Sequence, residues 1–155
     1  MVQNIQDIFR ARPSSSFLYF CSVILRDVIR ANRVGIVSDD QLIKKWFDQN
    51  KFEVIFEFSR DQIFNIEIPF ESKIAVEVFI GFDIFSRFEQ NKIDDILVLL
   101  FELKKPLILA NVTSENHKSI QKVKTDRKTW RKNLSKIGNV IEVYRHDQYD
   151  FVVVI

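Results

Sequence analysis

Ser114–Ile155 reads SENHKSIQKVKTDRKTWRKNLSKIGNVIEVYRHDQYDFVVVI, a basic amphipathic segment, a short polar break and a burst of apolar β-formers. Taken as a helix, it spaces Ile120, Val123, Trp130, Leu134, Ile137, Ile141 and Tyr144 by threes and fours, with Arg127 filling the slot between Val123 and Trp130. Such spacing makes one apolar stripe along a helix, and Lys118, Lys122, Lys128, Arg131, Lys132 and Lys136 fall mostly off it. Phe151–Ile155 does not alternate, which predicts a strand buried on both faces. The stretch therefore predicts an α+β fold, with a mainly antiparallel sheet packed against a long central helix and a helix near the N-terminus.

Working outward, Leu107–Val112 predicts a strand behind Pro106. Before it, Ser86–Lys105 is open to two readings. Ile93, Ile96, Leu97, Leu100 and Leu103 share a helix face, and Ser86 with Glu89 makes a capping-box pattern, yet Asp95–Leu103 also suits a buried strand. Ile74–Phe85 predicts a strand interrupted at Gly81. Phe52–Phe58 and Gln62–Pro69, parted by Ser59-Arg60-Asp61, predict a hairpin with a three-residue turn. Ser38-Asp39-Asp40 predicts the cap of a helix over Gln41–Gln49. FLYFCSVILRDVIRAN, behind Ser14–Ser16, predicts a helix from Phe17 to about Asn32. Asn4–Arg12 predicts a short edge strand ended by Pro13.

A chain of 155 residues without a Pro/Gly/Ser linker or a repeat predicts a single domain over residues 1–155. Fifteen Phe against three Gly suggests large buried surfaces, and weighs against glycine-dependent folds such as propellers and dinucleotide-binding units. A net charge of +2 gives no bulk pull toward nucleic acid or anionic membrane. The single Cys, Cys21, excludes an intrachain disulfide framework. The N-terminal MVQNIQDIFRARP has no apolar run of signal-peptide length and no stretch approaches the ~20 apolar residues of a membrane span, so the expected location is cytoplasmic or nuclear.

Chemical signals are few. His117 and His146 stand far apart, no metal-ligand spacing occurs, and no glycine-rich phosphate loop or serine elbow is present. A lone His in a polar segment is usually solvated, and a Cys on an apolar helix face is usually packing. One catalytic pattern stands. Asp83 followed by Glu102-Leu103-Lys104 matches the loose D…ExK set of metal-dependent nucleases, whose carboxylates hold a divalent ion beside a lysine. It requires Leu97–Leu103 to be a strand. Between Lys118 and Lys136, eight Lys or Arg face one acid, Asp126, a row that suits either solvent, an acidic partner or nucleic-acid phosphates.

Asn133-Leu-Ser-Lys-Ile-Gly-Asn-Val-Ile-Glu-Val-Tyr-Arg-His-Asp147 resembles the end of the central helix in the small HORMA-domain subunit of the autophagy-initiation kinase complex. VILRDVIRANRVGIV (Val23–Val37) and FIGFDIFS (Phe79–Ser86) resemble that family's first helix and the lead into its second. The resemblance implies a non-catalytic adaptor without a cofactor. Such an adaptor pairs with a larger HORMA-domain partner, stabilises it and supports assembly of the initiation kinase complex at the preautophagosomal structure. Lys124, Arg127, Arg131 and Tyr144, on helix surface that the sheet leaves uncovered, are the implied partner contacts. The exposed Trp-Phe finger of animal relatives has no loop to carry it here, since Leu107–Val112 runs almost directly into the basic segment and Trp46-Phe47 lies elsewhere.

Overall fold

VGIV, VFIGF, LILANV and FVVV are apolar runs without alternation, and a strand built from such a run has to be covered on both faces. In the computed structural model these runs form the centre of one sheet. The structure describes residues 13–65, 68–85, 90–112, 127–146 and 149–155. Its strands are β1 (Arg33–Val37), β2 (Glu53–Phe58), β3 (Val78–Phe82), β4 (Leu107–Val112), β5 (Val140–His146) and β6 (Tyr149–Val154). They lie in the order β2-β1-β3-β4-β6-β5. β1 pairs in parallel with β2 and β3, and β3 with β4, while β6 runs antiparallel to both β4 and β5. All strands but β6 therefore point the same way.

Five α-helices are described: α1 (Pro13–Asp27), α2 (Gln41–Gln49), α3 (Phe70–Ala75), α4 (Gln90–Leu103) and α5 (Arg127–Ser135). Strand residues alternate between two cores. Ile36, Val78, Ile80, Ile108, Phe151 and Val153 meet Phe17, Cys21 and Ile24 of α1 and Ile43 and Phe47 of α2. On the other face Phe79, Leu109, Val152 and Val154 meet Ile93, Ile96, Leu97 and Leu100 of α4 and Trp130 and Leu134 of α5. The chain travels outward from β1 to β2 and then in the opposite sense from β3 to β4. Strand-helix-strand crossovers keep one hand, so a reversal of travel puts α2 and α4 on opposite faces. The chains diverge where the carboxyl ends of β1 and β3 lie side by side, and a crevice opens there.

A six-stranded mixed sheet with helices on both faces is thus the architecture, and several expectations change. The sheet is not mainly antiparallel, since three of its five ladders are parallel. Burial on both faces hides strand direction, which is set here by the helix-bearing connections. No long helix spans the C-terminal segment among the described residues. α5 ends at Ser135, and Val140–His146 is a strand. Ile141 and Tyr144, at helical spacing from Leu134 and Ile137, belong to a β-branched run that pairs with β6. Gly138 makes the break possible, because a Cβ there would lie 2.8 Å from Val154 Cγ1 and 2.9 Å from the Ile155 carbonyl oxygen. Asn139 and Ile155 then exchange both main-chain hydrogen bonds, at 2.8 and 2.9 Å.

Among the described residues the expected Phe52–Pro69 hairpin is absent. β2 pairs in parallel with β1, and Arg60–Asn65 is a 3-10 turn followed by α3. Ile74 lies in α3, and β3 passes through Gly81 without a shift of register. α1 begins at Pro13, a residue suited to a first turn, and ends at Asp27 rather than Asn32. The expected Gln41–Gln49 helix and Leu107–Val112 strand form with those bounds. Asp40 caps the former, its carboxylate accepting from the Leu42 N–H at 2.9 Å. Ile93–Leu103 is helix. The Asn4–Arg12 strand, the Ser86/Glu89 box and the 113–126 part of the basic segment lie outside the described residues.

Candidate functional site

In a doubly wound sheet, the residues just past the strands' carboxyl ends meet at the point where strand order reverses. Asp39 and Asp40 follow β1, Arg60 follows β2, and Asp83 follows β3. Together with Leu42 and Phe82 they line an open crevice of ≈ 460 Å³. Three carboxylates against one guanidinium give this lining a formal charge of −2 (three minus one).

Arg60 is the hub. Its side chain is only 6% exposed and bridges Asp39 at 3.1 Å and Asp83 at 3.2 Å. The Arg60 N–H donates to Asp39 Oδ1 at 2.8 Å, so the backbone after β2 is fixed by the same carboxylate. The guanidinium also donates to the Asp83 carbonyl at 3.0 Å. Asp83 has φ 54, in the left-handed region that Asp tolerates better than most residues. Its N–H donates to the Ala110 carbonyl at 2.8 Å, which ties the turn to β4. A strained backbone pinned on both sides is the sort of feature that collects at ligand sites. On the β1 side, the Ser38 hydroxyl accepts from the Asp40 N–H at 2.9 Å, and Asp40 is spent on capping α2.

Phe82 and Tyr149 stack beside the cluster, ring centroids 5.3 Å apart and 23° from parallel. Burial, and then the negative charge of Asp83, push the Tyr149 hydroxyl well above the ordinary phenol range. It therefore remains a neutral hydrogen-bonding group. The connection from Val37 to Gln41 is Ser38-Asp39-Asp40, with no glycine to let a backbone cradle form around phosphate and two carboxylates where a phosphate would sit. The chemistry that fits is cation attraction and hydrogen-bond acceptance, with an aromatic wall alongside.

Of the residues expected to act, Asp83 is in this crevice, but Glu102 and Lys104 are at the other end of the sheet. β4 opens at Leu107 opposite Phe79, near the start of β3, whereas Asp83 follows that strand's end. The D…ExK set is therefore not brought together. Lys104 forms the left-handed turn after α4, with φ 53. Among the described residues, no group of three His, Cys, Asp or Glu could hold a metal ion.

The expected partner contacts also separate. Arg131 is exposed on α5, whose Trp130 and Leu134 pack on one face of the sheet. Tyr144 is exposed on β5 but sets its ring 5.9 Å from Phe151, which belongs to the other face. Lys124 and the Arg127 side chain lie outside the described residues. His146, expected in solvent, is buried, with Nε2 3.3 Å from the Ser16 hydroxyl. Cys21 is packing, as its helix face suggests, and burial pushes its thiol well above the ordinary range.

Asp39, Arg60 and Tyr149 are site residues that pattern reasoning did not single out. For Asp39 and Arg60 the signal is position, polar residues placed just after VGIV and EVIFEF, where parallel strands end; Tyr149 opens β6 and carries no such signal. No helix among the described residues is long and apolar enough to cross a membrane. A scan against models of known protein families and a search of curated proteins both find no match for this chain.

Proposed function

We propose that this chain is a binding domain for a small organic cation, held in the crevice between the carboxyl ends of β1 and β3. The observation that carries this is the Asp39–Arg60–Asp83 cluster at the reversal point, with excess negative charge beside the Phe82–Tyr149 stack. A cationic group lies favourably near a net negative lining and over an aromatic face. Hydroxyl or amino groups on the ligand would donate to Asp39 and Asp83. The volume suits a compact ligand, within the common range of such sites of about 300–1,000 Å³. On this reading the domain binds and does not transform its ligand.

Thermal-shift and calorimetric titration with polyamines, amino sugars, quaternary ammonium and sulfonium compounds, and cationic nucleosides tests it, with nucleotides as the counter-set. Stabilisation by members of the cationic set, lost in Asp83→Asn, is expected. Stabilisation by the phosphorylated set alone, or by neither, refutes it.

A pairing role, as non-catalytic partner of a larger HORMA-domain subunit in an autophagy-initiation complex, is a second possibility. It is supported by the Asn133–Asp147 resemblance and by the exposure of Arg131 and Tyr144. Three parallel ladders and the end of α5 at Ser135 differ from the mainly antiparallel sheet and long central helix expected from the sequence. Co-purification with a HORMA protein is the outcome it requires, and a partnerless monomer in cell extracts rules it out.

A further inference from the structure

α4 carries more apolar surface than its own core covers. Ile93, Ile96, Leu97 and Leu100 are buried, yet Val98 and Phe101 are each 54% exposed. Both line a hollow of ≈ 320 Å³ between α4 and the end of α5, which continues past Phe101 and Ile137 into a second of ≈ 340 Å³ beside Pro106 and Val154. The two make one apolar trough at the amino ends of the strands, at the far end of the sheet from the Arg60 crevice. Among the described lining residues the charged side chains are Lys104, Lys105 and Lys136 against Asp94, a basic rim.

We propose that this trough docks an amphipathic helix of a partner protein, with carboxylates flanking its apolar anchors. Helices seat in grooves through apolar residues one turn apart, and the paired hollows offer two such seats around Phe101. The lysine rim selects the sign of the flanking charge and speeds encounter. A second copy of this chain fits poorly, because a two-fold contact places each patch on itself and sets lysine against lysine. A bilayer surface fits poorly as well, because the apolar residues line a concavity that a flat surface does not enter.

The test is display selection on the intact chain, with helical peptides of about four turns whose flanking positions vary among Asp, Glu, Ser, Lys and Arg. Enrichment of Asp and Glu beside paired apolar anchors is expected. Phe101→Ser, and separately Lys105→Glu with Lys136→Glu, should each weaken the selected peptides about tenfold or more, with circular dichroism confirming the fold. If Phe101→Ser unfolds, Val98→Ser serves in its place, being equally exposed. No enrichment, enrichment of basic flanks, or binding indifferent to these changes overturns the proposal. So does Phe101-dependent binding to phosphatidylserine vesicles, or Phe101-dependent self-association, where peptides fail.

Discussion

Arg60 grips Asp83 twice, donating to its main-chain carbonyl at 3.0 Å and to its carboxylate at 3.2 Å. One side chain from the end of β2 thereby holds the turn after β3 in a left-handed conformation, reaching across the end of β1 that lies between them. Charge and backbone shape at the crevice are set by the same guanidinium.

Arg60→Met should therefore cost stability as well as ligand binding. Removing the cation from a buried pair typically costs about 3–5 kcal/mol. Because Asp39 is 41% exposed, and so partly served by water, a loss of about 2–3 kcal/mol is expected here. Urea denaturation of the variant measures it, and adding Asp83→Asn should recover part of the loss. An Arg60→Met chain as stable as the wild type would show that solvent already screens the cluster.

Gly35 sits under the ring of Phe56 on the neighbouring strand, and a Cβ there would come within 2.1 Å of the ring. Gly35→Ala should lower stability by about 1–3 kcal/mol through overpacking. Exchanging Phe56 for Leu in the same chain should return some of it. A neutral Gly35→Ala would mean that β2 moves aside freely.

Glu77 accepts hydrogen bonds from the N–H groups of Asn32 and Arg33 at 3.2 and 3.0 Å, joining the starts of β1 and β3. The Asn32 bond, followed by the Arg33 bond and charge, holds its carboxyl below the ordinary value of 4.5 against the opposing effect of burial. A carboxylate depressed in the folded state adds stability above its unfolded pKa and loses it as pH falls through the folded value. Wild type should thus exceed Glu77→Gln in melting temperature at neutral pH, and the gap should close below pH 4.5. A gap independent of pH would assign the effect to geometry alone.

Lys51 has φ 63 in the turn from α2 to β2, a position where glycine carries no steric cost. Lys51→Gly should stabilise the fold by about 1 kcal/mol, or roughly 2–4 °C in melting temperature. Unchanged or lower stability would show that unfolded-chain entropy cancels the relief.

Three strands of the sheet's centre were legible in the apolar runs before Gly81, behind Pro106 and at Phe151–Ile155, and α2 because Asp40 announces its cap. β1 was not, since VGIV follows the first helix's apolar run without a break that marks a strand. Strand direction was not legible, since a two-sided strand has no alternation to read. Ser59-Arg60-Asp61 looked like a hairpin turn because it parts two β-rich runs, and nothing local reveals that Arg60 is anchored by Asp39 and Asp83. Leu134, Ile137, Ile141 and Tyr144 fit a helix by spacing alone. That spacing could not register the Gly138 break or the claim of β6 on Val140–His146. Asp83 was singled out for a pattern that the fold pulls apart, and it belongs with residues from two other strand ends.

Among the described strands β6 alone runs against the rest, and it lies between β4 and β5, both earlier in the chain. During synthesis, then, β4 presents an unsatisfied backbone rim and β5 has no described neighbour until residues 149–154 emerge. Sheet closure waits on the insertion of one late segment, and the nascent chain is most prone to mispairing in the interval before it.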